Sequence, residues 1–292
     1  MAQVWKCAGL RWAADGAVLV WDGGRRSALS RGKSVAFGVA GEGGRRCVGA
    51  RGNPCPVRAV VSGRSTGARC EECARLDRAH SVAADTIADD PRPYRVYLAW
   101  FGPGMVKVGI TAAERGSARL LEQGAVCFSW LGVGPLMAAR RTEELLRAAL
   151  KVPDRIPYAA KRAVRSALPE TGAERAAEVT ALHARALELD AWPESLVRQP
   201  CQPVDHVGAF GLQGLPTAVG EVAELVHGGT VSGELAAVAG PDLHLATARG
   251  LVVLDSRLMT GWELGPGSAG GEITVPVREF RPEAVGLQDG LF

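Results

Sequence analysis

The chain has 292 residues, 47% of them apolar and 22% charged, a globular balance that excludes collagen-like, low-complexity and wholly disordered architectures. No apolar run approaches the ~18 residues of a membrane span, and the opening Met-Ala-Gln-Val-Trp-Lys-Cys lacks the basic-then-apolar order of a secretory leader. The expected address is therefore the cytoplasm, with no membrane partner. The formal charge of +3 is unevenly spread: residues 1–170 hold 27 Lys and Arg against 15 Asp and Glu, while residues 171–292 hold 7 against 16. A basic region of that size attracts polyanions, chiefly through counterion release. Nucleic acid, DNA or RNA, is the expected partner.

Residues 1–90 read as a β-rich region. Ala-Val-Leu-Val-Trp at 17–21 is a strand-type run closed by the turn signal Asp22-Gly23-Gly24. Residues 41–78 hold four of the seven cysteines among Gly, Pro and Arg, with little periodicity. A segment that cannot build its own core needs a staple. Without an export signal, clustered cysteines point to metal before disulfides. Cys70 and Cys73 have the spacing at which two thiolates reach one tetrahedral zinc. Cys47 and Cys55 lie further apart, joined by a loop-like segment that can fold back. Cys7 or His80 stands as an alternative ligand. A closed four-thiolate site is structural, since it leaves no open position for substrate. Residues 79–93 read as a linker.

Residues 91–200 form the expected α/β centre. Tyr-Arg-Val-Tyr-Leu-Ala-Trp-Phe at 94–101 is a strand, Gly102-Pro103-Gly104 a turn, and 105–110 the return strand. Side chains alternate across a strand, so Tyr97 shares a face with Arg95, Ala99 and Phe101, and Lys107 with Met105 and Gly109. Thr111 and Glu114 have capping-box spacing. They predict a helix from there to Gly124, whose cap position suits glycine, with Arg115 and Arg119 on one face. Residues 125–133 read as a strand. Gly134-Pro135 opens a helix to about Lys151, and further helical patterns cover 157–168 and 171–190.

In the helix after Pro135, Leu136, Ala139, Leu146, Ala149 and Leu150 make the apolar stripe. Glu143 borders that stripe, whereas Glu144 falls on the solvated face. A carboxylate at a core edge is costly unless paired or metal-bound, which favours Glu143 over Glu144 as a ligand. Residues 201–292 read as a small antiparallel β region with runs at 234–239, 243–246 and 250–254, and it carries most of the acidic excess. The fold class is α+β.

The central segment resembles the GIY-YIG nuclease superfamily. Arg95-Val96-Tyr97 stands at the first motif and Lys107-Val108-Gly109 at the second, where Tyr97 and Gly109 match and Lys107 replaces a tyrosine. Arg119 stands where that family keeps an arginine, with Arg115 as competitor, and Glu143 or Glu144 supplies its glutamate. The resemblance covers residues 94 to about 150. It implies hydrolysis of a phosphodiester with one Mg²⁺ or Mn²⁺ held by Glu143. It further implies that Arg119 binds the phosphate and that Tyr97, helped by Lys107, orients or deprotonates the water. Arg95, Arg115 and Arg140 are the expected additional contacts to nucleic acid. Over its whole length the chain also resembles an uncharacterised bacterial family, domain of unknown function 2797. The run Lys107-Val108-Gly109-Ile110-Thr111, the Gln123-Gly124-Ala125 step and the upstream cysteines carry that likeness. The alternatives to a nuclease are a catalytically inactive nucleic-acid-binding module and a zinc-stabilised protein–protein adaptor.

Overall fold

The computed structural model describes residues 3–13, 15–79 and 90–280. His80 and most of the expected linker lie outside them. Four strands open the fold: β1 (Trp5–Ala13), β2 (Gly16–Trp21), β3 (Arg26–Ala28) and β4 (Ser34–Val39). The cysteine segment follows and ends in helix α1 (Glu71–Ala79). The centre holds β5 (Tyr94–Trp100), β6 (Val106–Ala112), α2 (Ala118–Gln123), β7 (Cys127–Gly134), α3 (Leu136–Leu150), α4 (Tyr158–Ala163), α5 (Gly172–Leu187), β8 (Val197–Arg198) and β9 (Val204–Asp205). The chain then forms α6 (Val207–Phe210), β10 (Ala218–Val222), β11 (Thr230–Ala239), β12 (Asp242–Thr247), β13 (Gly250–Asp255), β14 (Glu263–Pro266) and β15 (Val277–Glu279).

The strands make two sheets. The larger runs β15-β10-β13-β12-β11-β4-β14-β1-β2-β3. β4 pairs with β11, setting Phe37 opposite Val231, and β14 joins both β4 and β1. Segments that read as separate N- and C-terminal regions in the sequence thus share one sheet. Within β4, Val35, Phe37 and Val39 alternate as buried positions, so one face of that shared sheet lies on the core. β10 and β13 pair in parallel, so the C-terminal strands are not purely antiparallel.

The smaller sheet runs β6-β5-β7-β8, with β9 also on β7. Tyr94, Val96, Leu98 and Trp100 share a core with Leu136, Ala139 and Leu146 of α3 and Val179 of α5. The opposite face buries Tyr97, Ala99, Phe101 and Phe128 against Leu120 of α2. α5 begins with the full capping box of Thr171 and Glu174.

The expected box at Thr111 does not form. Thr111 belongs to β6, opposite Arg95, and the ladder claims its backbone. A three-ten turn at 113–115 and Gly116, at φ 48°, delay the helix until Ala118. Arg115 therefore precedes α2 rather than lying on it.

Two contacts tie the centre to the large sheet. Gly124, at φ 69°, caps α2 and meets the β11–β12 turn backbone to backbone: a Cβ on Gly240 would stand 2.9 Å from the Gly124 nitrogen. Nearby, Arg162 of α4 spans Asp242 and Asp255, at 2.6 Å each, and Arg165 also reaches Asp242 at 2.5 Å. Asp242 is fully buried. Burial alone raises its pKa, but Arg165 and Arg162 together hold it below the ordinary aspartate value.

Candidate active site and metal centre

The four clustered cysteines come together. The Sγ atoms of Cys47, Cys55, Cys70 and Cys73 all lie within 4.8 Å of one another, and Cys55 Sγ is 3.9 Å from Cys70 Sγ. A tetrahedral zinc at about 2.3 Å from each sulfur would separate them by about 3.8 Å. The donor set and its spacing therefore fit a structural metal such as zinc. Backbone groups complete the cage: Gly49 N–H and Cys70 N–H point at Cys47 Sγ, at 3.4 and 3.2 Å. Among the described residues this is the one group of three or more metal-capable side chains. Cys7, weighed as a ligand, lies in β1 instead, and burial pushes its thiol up to about 11.

Arg45 anchors the cysteine segment. It is 1% exposed and has no carboxylate partner among the described residues. Its guanidinium donates to the carbonyls of Thr260, Ser62, Ser65 and Arg257. Burial lowers its pKa to about 10, with Cys7 and Asp255 resisting the fall.

On the smaller sheet, Tyr97 sits opposite Gly109 and Lys107 opposite Ala99, which puts Tyr97 and Lys107 on one face. Lys107 Nζ is 5.8 Å from the centre of the Tyr97 ring and donates to the Asp154 carbonyl at 3.2 Å. Arg119 and Glu143 lie near enough for their charges to act on both. Burial raises the Tyr97 pKa, opposed by the Gln123 hydrogen bond and by Arg119 and reinforced by Glu143. Burial lowers Lys107 to about 8, with Arg119 adding to the fall and Glu143 resisting it. The Glu143 carboxyl stands above its ordinary value because of burial and the neighbouring Asp154, while Lys107 opposes the rise. Tyr97, Lys107, Arg119 and Glu143 thus form one electrostatic unit.

Glu143 is half-buried, and Glu144 is exposed and paired with Arg147 at 3.0 Å. Arg119 is exposed, 3.9 Å from Glu122. Arg115 Nη2 donates to both carboxylate oxygens of the same Glu122, at 2.8 and 2.7 Å, so its charge is already paired. Arg95 stacks on Trp130, 4.9 Å from the ring centre. Arg140 lies half-buried on α3, with Nη1 3.8 Å from Met137 Sδ.

Two further residues complete the cluster. Gln123 donates from Nε2 to Tyr97 Oη at 2.9 Å. Its four-residue spacing from Arg119 is the sequence signal for a shared helix face. Lys161 of α4 is 3% exposed and donates to the Gln123 carbonyl at 3.0 Å. Its Nζ lies 3.8 Å from the centre of the Phe101 ring and 4.4 Å from that of Tyr158. Burial and then Lys107 lower its pKa to about 7. No local pattern marks Lys161, because only the tertiary fold brings α4 under α2.

Fold and site define an α+β chain, mostly sheet, with a four-cysteine candidate metal centre and a separate buried Tyr–Lys–Gln cluster. Residues 32–264 match the family described as Protein of unknown function (DUF2797), and the chain belongs to that family. Neither curated proteins nor solved structures give a match. Among the described residues, no helix is long and apolar enough to cross a membrane.

Proposed function

We propose that the chain cleaves nucleic-acid phosphodiesters at the Tyr97–Lys107–Arg119–Glu143 site. The observation that carries this reading is convergence: an exposed guanidinium, a buried phenol, a lysine near neutrality and a core-edge carboxylate act on one another. The order strand, turn, strand, arginine helix and glutamate helix adds the GIY-YIG-like pattern. Glu143, with Asp154 beside it, offers the hard oxygen donors that Mg²⁺ or Mn²⁺ takes. Such an ion supplies stabilisation of charge on the leaving oxygen. The Arg119 fork suits the scissile phosphate.

The division of labour between Tyr97 and Lys107 follows from burial. A phenol whose pKa is raised keeps its proton at neutral pH, so it is a poor base but still has a hydrogen to donate. Gln123 already donates to Tyr97 Oη, so the Tyr97 hydrogen stays free to orient a water or a phosphate oxygen. Lys107, brought down to about 8, is partly neutral near pH 7–8 and is the better proton acceptor. The attacking water gives its proton to Lys107 Nζ as its oxygen bonds to phosphorus, and the P–O bond to the leaving oxygen breaks with its electron pair passing to that oxygen.

The test is cleavage of mixed DNA and RNA substrates with Mg²⁺ and with Mn²⁺. Activity lost in Glu143→Ala and reduced in Tyr97→Phe, but kept in Glu144→Ala, supports the reading. Cleavage that survives both changes overturns it. A second reading, a binding module without catalysis, draws on Lys107 in a tyrosine's place, since an ammonium holds phosphate without moving a proton. Nucleic-acid binding with no cleavage in either metal would favour it.

A further inference from the structure

Between residues 43 and 70 the chain carries six arginines and no carboxylate. Three are committed within the fold. Arg45 is spent on backbone carbonyls, Arg64 pairs with Glu224 at 2.9 Å and Arg69 with Asp77 at 3.2 Å. Arg46, Arg51 and Arg58 have no ion pair among the described residues. Arg51 and Arg58 are exposed, and Arg46 is half-buried with its Nη1 on the Arg58 carbonyl at 3.2 Å.

The loops hold these side chains outward. Ala50 and Asn53 exchange backbone hydrogen bonds at 3.0 and 2.9 Å, which makes Arg51 and Gly52 the tip of a tight turn at φ 53° and 79°. In the next loop the Cys55 carbonyl accepts from Arg58 N–H at 3.1 Å, and Arg58 has φ 47°. Left-handed backbone ordinarily goes to glycine or asparagine. Here each cysteine loop gives that position to an arginine. Both loops are rooted on the same four-sulfur cluster, so the guanidinium heads are carried by one small module. Val57 and Val60, 75% and 61% exposed, lie among them. Cys47, Cys55 and Cys73 are buried beneath.

We infer that the cysteine module is a second nucleic-acid contact surface, on which Arg46, Arg51 and Arg58 hold backbone phosphates away from the Tyr97 site. Planar forks match phosphate oxygens, and the small apolar side chains suit sugar faces between phosphates. This shares the nucleic-acid partner of the reading above but none of its chemistry.

The experiment uses the zinc-loaded full chain and a labelled mixed-sequence duplex, with the matching single strand, in anisotropy titrations across a salt series. The variant is Arg51→Gly with Arg58→Asn, because both new residues tolerate left-handed backbone and remove only charge. Zinc content and melting are checked first. The expected result is affinity reduced ~10-fold or more at low salt, and a log–log salt slope shallower by about 2, roughly one unit per lost phosphate contact. Arg51→Lys with Arg58→Lys restores the slope. Unchanged affinity and slope in the Gly/Asn variant, with wild type binding well, overturns this inference and leaves the proposed cleavage site standing. Absence of binding by wild type removes both.

Discussion

The Tyr97 ring lies across Gly109, its partner on the neighbouring strand, in the space a β-carbon would fill. Gly109 is thus a steric requirement of Tyr97. Gly109→Ala should displace the ring and cost about 1–3 kcal/mol, the usual scale of overpacking. In a Tyr97→Ala background the same change should cost much less. Denaturant midpoints for the four proteins of that cycle measure the coupling.

If neutral Lys107 takes the proton, single-turnover cleavage should rise with pH and level off near 8, the value to which burial brings it. Lys107→Arg keeps the charge at all accessible pH and should abolish both the rate and the rising limb. A flat profile between about pH 6 and 9 would exclude Lys107 as the base.

Lys161 makes a separate prediction about stability. Its pKa falls from 10.5 to about 7 on folding, so the unfolded chain binds the extra proton throughout that interval. Stability contributed by this group is therefore lowest at and below pH 7 and recovers as pH rises towards 10.5. Urea unfolding should show wild type gaining on Lys161→Met between neutral and alkaline pH, by an amount on the order of a few kcal/mol. Parallel curves would refute the assignment.

The Asp242 carboxylate binds two arginines in a buried setting, and Arg165 is 2% exposed. Asp242→Asn leaves that charge without its partner and should cost about 3–5 kcal/mol. The exposed Glu144→Gln, which breaks a surface pair with Arg147, should cost well under about 1 kcal/mol. Chemical denaturation of the two variants side by side checks the contrast.

For the cysteine centre the expectation is one bound zinc per chain, lost in Cys70→Ser and retained in Cys201→Ser. Elemental analysis decides this directly. Melting should fall with the metal, by about 2–4 °C for each kcal/mol lost in a domain of this size.

Much of the central geometry is legible in the sequence because it is local. Alternation alone puts Tyr97 and Lys107 on one face, and the Gly102–Gly104 turn sets the register that joins them. Helical spacing separates half-buried Glu143 from exposed Glu144. The knuckle spacing of Cys70 and Cys73 marks half of the four-sulfur cluster. What the sequence conceals depends on contacts made far along the chain. Thr111 has the pattern of a helix cap, yet the ladder with Arg95 outweighs it. Lys161 carries no marker of burial, since Phe101 and Gln123, which enclose it together with Tyr158 of its own helix, come from distant parts of the chain. The pairing of β4 with β11 leaves no local signature in either strand.

That last pairing sets an order of assembly. A chain emerging from the ribosome presents β1 to β4 first. β4 finds its neighbours only when β11 and β14 appear, after the whole cysteine segment and the Tyr97 sheet have been made. Such long-range closure is slow. The central sheet, with its hairpin and flanking helices, can fold while the early strands wait. Their open edges during that interval are where a nascent chain of this protein is most exposed to misassembly.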